Sequence, residues 1–124
     1  MFKLRDAKIS DLEAIQLINE SAIPAVNSVS VDEFELFLQR SLYFKVSIDK
    51  KDQVCGFLLV LPEGLKYESL NYKWFSKNFS GFAYIDRIAI KEESRGKGIG
   101  KSLYLDLEQS VSKDIKRIAC EFNI

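Results

Sequence analysis

The sequence predicts a single α/β (α+β) domain over residues 1–124, and three observations predict it. Stretches of alternating or continuous apolar residues, the mark of strands, are interleaved with stretches whose apolar residues recur every three or four positions, the mark of helices. One of these strands, residues 82–90, runs into a glycine-rich loop that opens a helix. A chain of 124 residues, 47% hydrophobic and 29% charged, is long enough for one real core and short for two domains.

Taken in order, Phe2-Lys3-Leu4-Arg5 alternates as a first strand. Ser10-Asp11-Leu12-Glu13 has the form of a capping box ahead of Leu12, Ile15 and Ile18 at helical spacing, which predicts a helix over 11–21. Pro24 and Asn27-Ser28 break it. Ser30-Val31-Asp32-Glu33 offers a second capping box before Phe34, Phe37 and Leu38, for a helix over 31–41. Phe44, Val46 and Ile48 then alternate with Tyr43, Lys45 and Ser47, a polar turn follows at 49–52, and 54–61 is apolar throughout. That is a hairpin whose second strand is central, covered on both faces.

Residues 62–80 hold Tyr67, Tyr72, Trp74, Phe75 and Phe79 among polar residues, with no helical or strand period. Two readings stand: a substrate lid, or rings that cover the sheet or make a subunit contact. After the strand 82–90 and its loop, Ile99, Leu103, Leu107 and Val111 recur every four residues and predict an amphipathic helix to about residue 114. Residues 116–123 read as a strand beside 82–90.

Eighteen basic and eighteen acidic residues cancel, so the chain has no electrostatic footprint for nucleic acid or an anionic membrane. No window approaches the ~18 consecutive apolar residues of a membrane span, and the first residues have no apolar signal core, which points to a cytoplasmic protein. Cys55 and Cys120 sit in apolar runs and read as buried thiols. Histidine is absent, which removes His-based triads and His metal sites. Proton transfer falls to carboxylates, Tyr, Lys, Cys, water or the backbone, and no metal is expected.

The loop Arg95-Gly96-Lys97-Gly98-Ile99-Gly100 carries the chemistry. A glycine turn between strand and helix leaves backbone N–H groups unpaired at the positive end of the helix dipole, where a phosphate can accept them. A nucleotide P-loop would need glycine at 95, where Arg stands, and a dinucleotide fingerprint would need it at 101, where Lys stands. What fits is R-x-x-G-x-G, read as Arg95, Gly98 and Gly100, after the strand Tyr84-Ile85-Asp86-Arg87-Ile88-Ala89-Ile90.

This resembles motif A of the GNAT superfamily of acetyl-CoA-dependent N-acetyltransferases, and the order of elements is similar through the chain. Asn71-Tyr72-Lys73-Trp74-Phe75 is also similar to an N-Y-x-W-F segment found before motif A in a branch of bacterial acetyltransferases. The resemblance implies a mixed, mostly antiparallel central sheet flanked by helices, here lacking the family's usual C-terminal helix and strand pair. It implies direct acetyl transfer from acetyl-CoA to a primary amine, carried by a small molecule, an amino acid or a peptide N-terminus.

On that resemblance the loop N–H groups from Gly96 through Lys97, Gly98, Ile99 and Gly100 to Lys101 hold the CoA pyrophosphate, with Arg95 fixing the loop or a phosphate. Strand residues 88–90 (Ile88, Ala89, Ile90) line the pantetheine, and the Ile88 N–H faces the thioester oxygen. Three candidates remain for general base: Glu121, Tyr84 and Asp86. No residue matches the Tyr that commonly protonates the leaving thiolate. The short C-terminus leaves an alternative open, a catalytically silent acyl-CoA-binding or dimerising domain, and an uncovered last strand makes a homodimer the expectation.

Overall fold

Strand pairing in this chain follows the predicted order of elements. Among the described residues, five strands form one sheet in the order β1-β2-β3-β4-β5, in a computed structural model that describes residues 2–65, 72–73, 77, 82–111 and 117–120. β1 (Lys3–Asp6), β2 (Tyr43–Ile48), β3 (Val54–Pro62) and β4 (Phe82–Ile90) pair antiparallel, and β5 (Arg117–Cys120) runs parallel to β4. The mixed, mostly antiparallel sheet flanked by helices is the fold class that the sequence predicts.

Both faces of the sheet are covered, which is why β3 is apolar along its length. One face packs under α1 (Leu12–Ser21) and α2 (Val31–Arg40): Leu12, Ile15, Ile18 and Phe34 meet Phe44, Val46, Phe57, Leu59, Leu61 and Phe82. The other face packs under α3 (Ile99–Ser110), whose Ile99, Leu103 and Leu107 meet Leu58, Val60, Ala83 and Ile85. Cys55 is buried on this second face.

The two capping boxes behave differently. At α2 the box forms as read: the Glu33 N–H donates to Ser30 Oγ at 3.1 Å, and the Ser30 N–H donates back to Glu33 Oε1 at 3.3 Å. At α1 a short 3-10 turn (Ile9–Asp11) precedes the helix, and Asp11 takes over from Ser10. Its carboxylate accepts the Lys8 N–H at 2.8 Å and both terminal nitrogens of Arg5, at 2.7 and 3.0 Å. Burial pushes the Asp11 carboxyl up, but the Arg5 guanidinium and the Lys8 N–H outweigh it and hold the group below its ordinary value.

α3 ends four residues earlier than its period predicts. Ser110 turns its hydroxyl onto the Asp106 carbonyl at 2.6 Å, and Val111 is extended at ψ 146°. Val111 still packs, half-buried, against the apolar stripe it extends. The same helix is fastened to β2, where Asp106 accepts the Tyr43 hydroxyl and pairs with Lys45, each at 2.8 Å.

Most of the aromatic stretch 62–80 lies outside the described residues. Its Tyr72 does not, and it is fully buried, its ring 5.3 Å from Tyr84 and 6.0 Å from Phe82. The Tyr72 hydroxyl donates to the Pro62 carbonyl and accepts the Leu65 N–H at 2.9 Å. This ring covers the sheet, the second of the two readings of the stretch.

Candidate functional site

Residues 82–85 of β4 pair in parallel with residues 117–120, where the described part of β5 ends. A bulge follows in the pairing to β3: Leu59 faces Arg87 while Val60 faces Ile85, leaving Asp86 as the extra residue. Bulges bend a strand and sharpen its twist.

The strand then feeds the glycine loop. The Lys91 N–H donates to the Cys55 carbonyl at 2.7 Å, a single 3-10 turn (Glu92–Ser94) follows, and Arg95 folds back so that its Nε donates to the Ile90 carbonyl at 3.3 Å. Arg95 therefore braces the loop against the end of β4. Gly96 and Gly98 take φ of +79° and +80°, with nothing within 4 Å of where a Cβ would stand. Their requirement is conformational, since an L side chain is strained in that region.

Gly98 is also the N-cap of α3, and it supplies no side-chain cap. No acidic residue occupies the first turn. The Ser102 N–H reaches the Gly98 carbonyl at 3.0 Å, while the N–H groups of Ile99, Gly100 and Lys101 belong to the turn that has no intrahelical acceptor. Exposed Lys97 and Lys101 flank them. Gly100 lies over Ile88, with 3.8 Å from its Cβ position to Ile88 Cδ1, so the helix start and β4 adjoin. Of the residues expected to line the pantetheine, Ala89 is buried and Ile88 and Ile90 are half-buried toward α3.

The three candidate bases are placed differently. Tyr84 is wholly buried beneath Tyr72, on the α1/α2 face. Asp86 is buried at the bulge, its Oδ2 accepting Arg87 Nε at 2.7 Å, with the two side chains 2% and 4% exposed. Glu121 lies outside the described residues.

Arg87, to which sequence reasoning assigns no role in the site, organises this end of the sheet. Besides Asp86, its guanidinium donates to Asn19 Oδ1 at 3.2 Å, to the Asn27 carbonyl at 3.1 Å and to Asn27 Oδ1 at 2.7 Å. Asn19 in turn donates to the Asn27 carbonyl at 3.0 Å. The signal was available: two adjacent charged residues inside a strand apolar on both faces break the alternation that a regular strand would keep.

The acetyltransferase (GNAT) family model matches residues 12–123. No curated protein matches the sequence. Among solved structures, the chain is similar to a GNAT superfamily phosphinothricin acetyltransferase from Sinorhizobium meliloti in complex with acetyl-CoA, at 25% identity and a TM-score of 0.64, over 88% of this chain and 59% of that one. An aminoglycoside antibiotic 6'-N-acetyltransferase from Acinetobacter baumannii superposes with a TM-score of 0.74 at 16% identity, over 100% of this chain and 81% of that one. The NatB acetyltransferase complex bound to a bisubstrate inhibitor gives 0.64 at 18% identity, over 92% of this chain and 57% of that one. The last two identities make the likeness one of fold. The chain spans less than two thirds of the length of the first and third of these proteins.

Proposed function

The chain belongs to the GNAT acetyltransferase family, and on that premise we propose that it is an N-acetyltransferase that moves an acetyl group from acetyl-CoA directly to a primary amine. The observation that carries the reading is the junction of the glycine loop and its uncapped helix N-terminus with the bulged strand β4 that feeds it. Few ligands combine a diphosphate with a chain of amides, and acetyl-CoA does. A relative of this fold is solved with acetyl-CoA, which supports the same donor here.

On this reading the N–H groups of residues 96–101 take the diphosphate, helped by the charges of Lys97 and Lys101. Arg95 holds the loop in place. The pantetheine amides pair with main-chain groups of Ile88 and Ile90 as a strand would, which sets the thioester near the bulge. The Ile88 N–H donates to the carbonyl oxygen as negative charge develops on it during attack.

The attacking ammonium must first lose a proton, and Glu121, Tyr84 and Asp86 are the groups proposed to take it. The acceptor is a small-molecule amine, an amino acid or a peptide N-terminus. The named relatives act on phosphinothricin and an aminoglycoside, which supports an amine acceptor in general.

Calorimetric titration with acetyl-CoA tests the reading, with ATP–Mg²⁺ as control. Micromolar binding of acetyl-CoA alone is expected, and at a hundredfold excess over Kd it stabilises the fold by about 2.7 kcal/mol. Binding of neither ligand by the folded chain overturns the proposal. With acetyl-CoA bound, thiol release against a panel of amines then compares Glu121→Gln, Tyr84→Phe and Asp86→Asn. The base is the one whose loss flattens the acidic limb of the kcat/KM profile.

A further inference from the structure

The helix α1 ends with an unfavourable charge. Glu20 sits in its last turn, where the helix dipole favours a cation, and no basic residue stands there. Its Oε1 accepts the Ser28 hydroxyl at 2.6 Å, while Oε2 is shut off from solvent and, among the described residues, has no hydrogen-bond partner. None of the described ion pairs includes Glu20. A carboxylate oxygen that is covered and left unbonded costs stability, and a cation relieves it. The bond to Ser28 does not call for an acid, since an amide oxygen would accept that hydroxyl as well.

The placement of the acid ties it to the transfer site. Asn19 and Asn27 stand one residue before Glu20 and Ser28, and both meet Arg87 next to the bulge of β4. Asn19 is buried and Glu20 half-buried, so the Glu20–Ser28 bond is the next layer outward from that contact. The charge of Arg87 is matched by Asp86. α1 packs on the face of the sheet opposite α3. With the diphosphate seated at the start of α3, acetyl-CoA occupies that side, and the side of α1 is left for the acceptor.

We propose that the Glu20 carboxylate binds the ammonium group of the acceptor and so selects cationic amines over neutral analogues. Ser28 is exposed, so an incoming ammonium meets the pair from solvent, and rotation about χ3 of Glu20 exchanges its two oxygens. The three donors of an ammonium suffice to bond the unpartnered oxygen while Ser28 keeps the other. Glu20 is thus a binding residue, and one of the three candidate bases then removes the proton. This rests on the acetyl-CoA reading of the site.

Calorimetric titration with butylammonium chloride tests the site, with butanol and sodium butyrate as controls. It is run with and without coenzyme A, which carries no acetyl group to transfer. Binding of butylammonium alone, at about millimolar Kd, is expected. Glu20→Gln keeps the shape and an oxygen for Ser28, and weakens that binding by about fivefold or more. Ser28→Ala retains it, and in both variants the Kd for acetyl-CoA stays within about threefold. Glu20→Gln is also expected to melt about 1–4 °C higher, because the charge at the helix end is gone.

If the acid serves only the fold, Glu20→Gln melts lower, and butylammonium binds both proteins equally or neither. That outcome overturns the proposal while leaving acetyl-CoA binding intact. Failure of the wild type to bind acetyl-CoA overturns the functional reading, and the acceptor role of Glu20 with it.

Discussion

At Gly56 the absence of a side chain sets how closely two strands approach. Gly56 lies opposite Ile90, and a Cβ there would stand 2.7 Å from Ile90 Cδ1 and 3.0 Å from the Ala89 carbonyl oxygen. The Ile90 methyl can swing away, but the carbonyl belongs to the backbone of β4 and moves only with the strand. Gly56→Ala is therefore expected to destabilise the protein by about 1–3 kcal/mol. Urea unfolding checks this, as a lower midpoint at unchanged slope. Gly96 and Gly98 present the other case: space is open around them, and it is φ that excludes a side chain.

The helix α3 has a property that separates its stability from its use. Its first turn carries Lys101 and no acid, an arrangement that its own dipole disfavours and that a bound anion would relieve. Lys101→Glu is expected to raise thermal stability slightly, by about 0.3–1 kcal/mol. The same change is expected to weaken acetyl-CoA by about tenfold, equivalent to ~1.4 kcal/mol. Melting curves and titration on one preparation check both signs.

Elements of this kind were well marked in the sequence. β3 follows from an unbroken apolar run, β2 from alternation, β4 from the apolar residues around its charged pair, and α2 from a capping box that forms as written. The bulge was not readable from alternation, because period-2 reasoning assigns Asp86 and Arg87 to opposite faces. Only the register against β3 reveals that one of them is extra. The end of α3 escaped for a related reason. Val111 continues the apolar stripe, so periodicity extends the helix past the point where Ser110 turns to bond the Asp106 carbonyl.

Across the whole molecule, stability gains a dependence on acid from one ion pair. Asp11 ties the start of α1 to β1 through Arg5 and is held below its ordinary value in the folded state. A carboxyl depressed on folding contributes stability above its unfolded value and loses it as pH falls through the folded one. The wild type is therefore expected to lose stability below about pH 4, where unfolded aspartate takes up its proton. Asp11→Asn is less stable at pH 7, by about 1–3 kcal/mol, and lacks this part of the acid slope. Denaturant titrations from pH 7 to pH 3 measure it.

Of the candidate site, the glycine loop was plain from residue types at fixed spacing, because left-handed backbone needs glycine. The Arg87 network was not, because it joins Asn19, Asn27 and β4 across some sixty positions of sequence. Polar residues of those types are ordinary in a helix and a connection, and only the fold brings them to one point.

Every residue of β3 from position 54 to 61 is buried, with one face under α1 and α2 and the other under α3. Such a strand has no side on which change is neutral. Variation in this protein is thus channelled outward, to the exposed face of α3 and the rim of the loops, where Tyr104 and Leu105 already stand in solvent. A lineage built on this chain can revise what it recognises while the middle of its sheet stays confined to an apolar vocabulary.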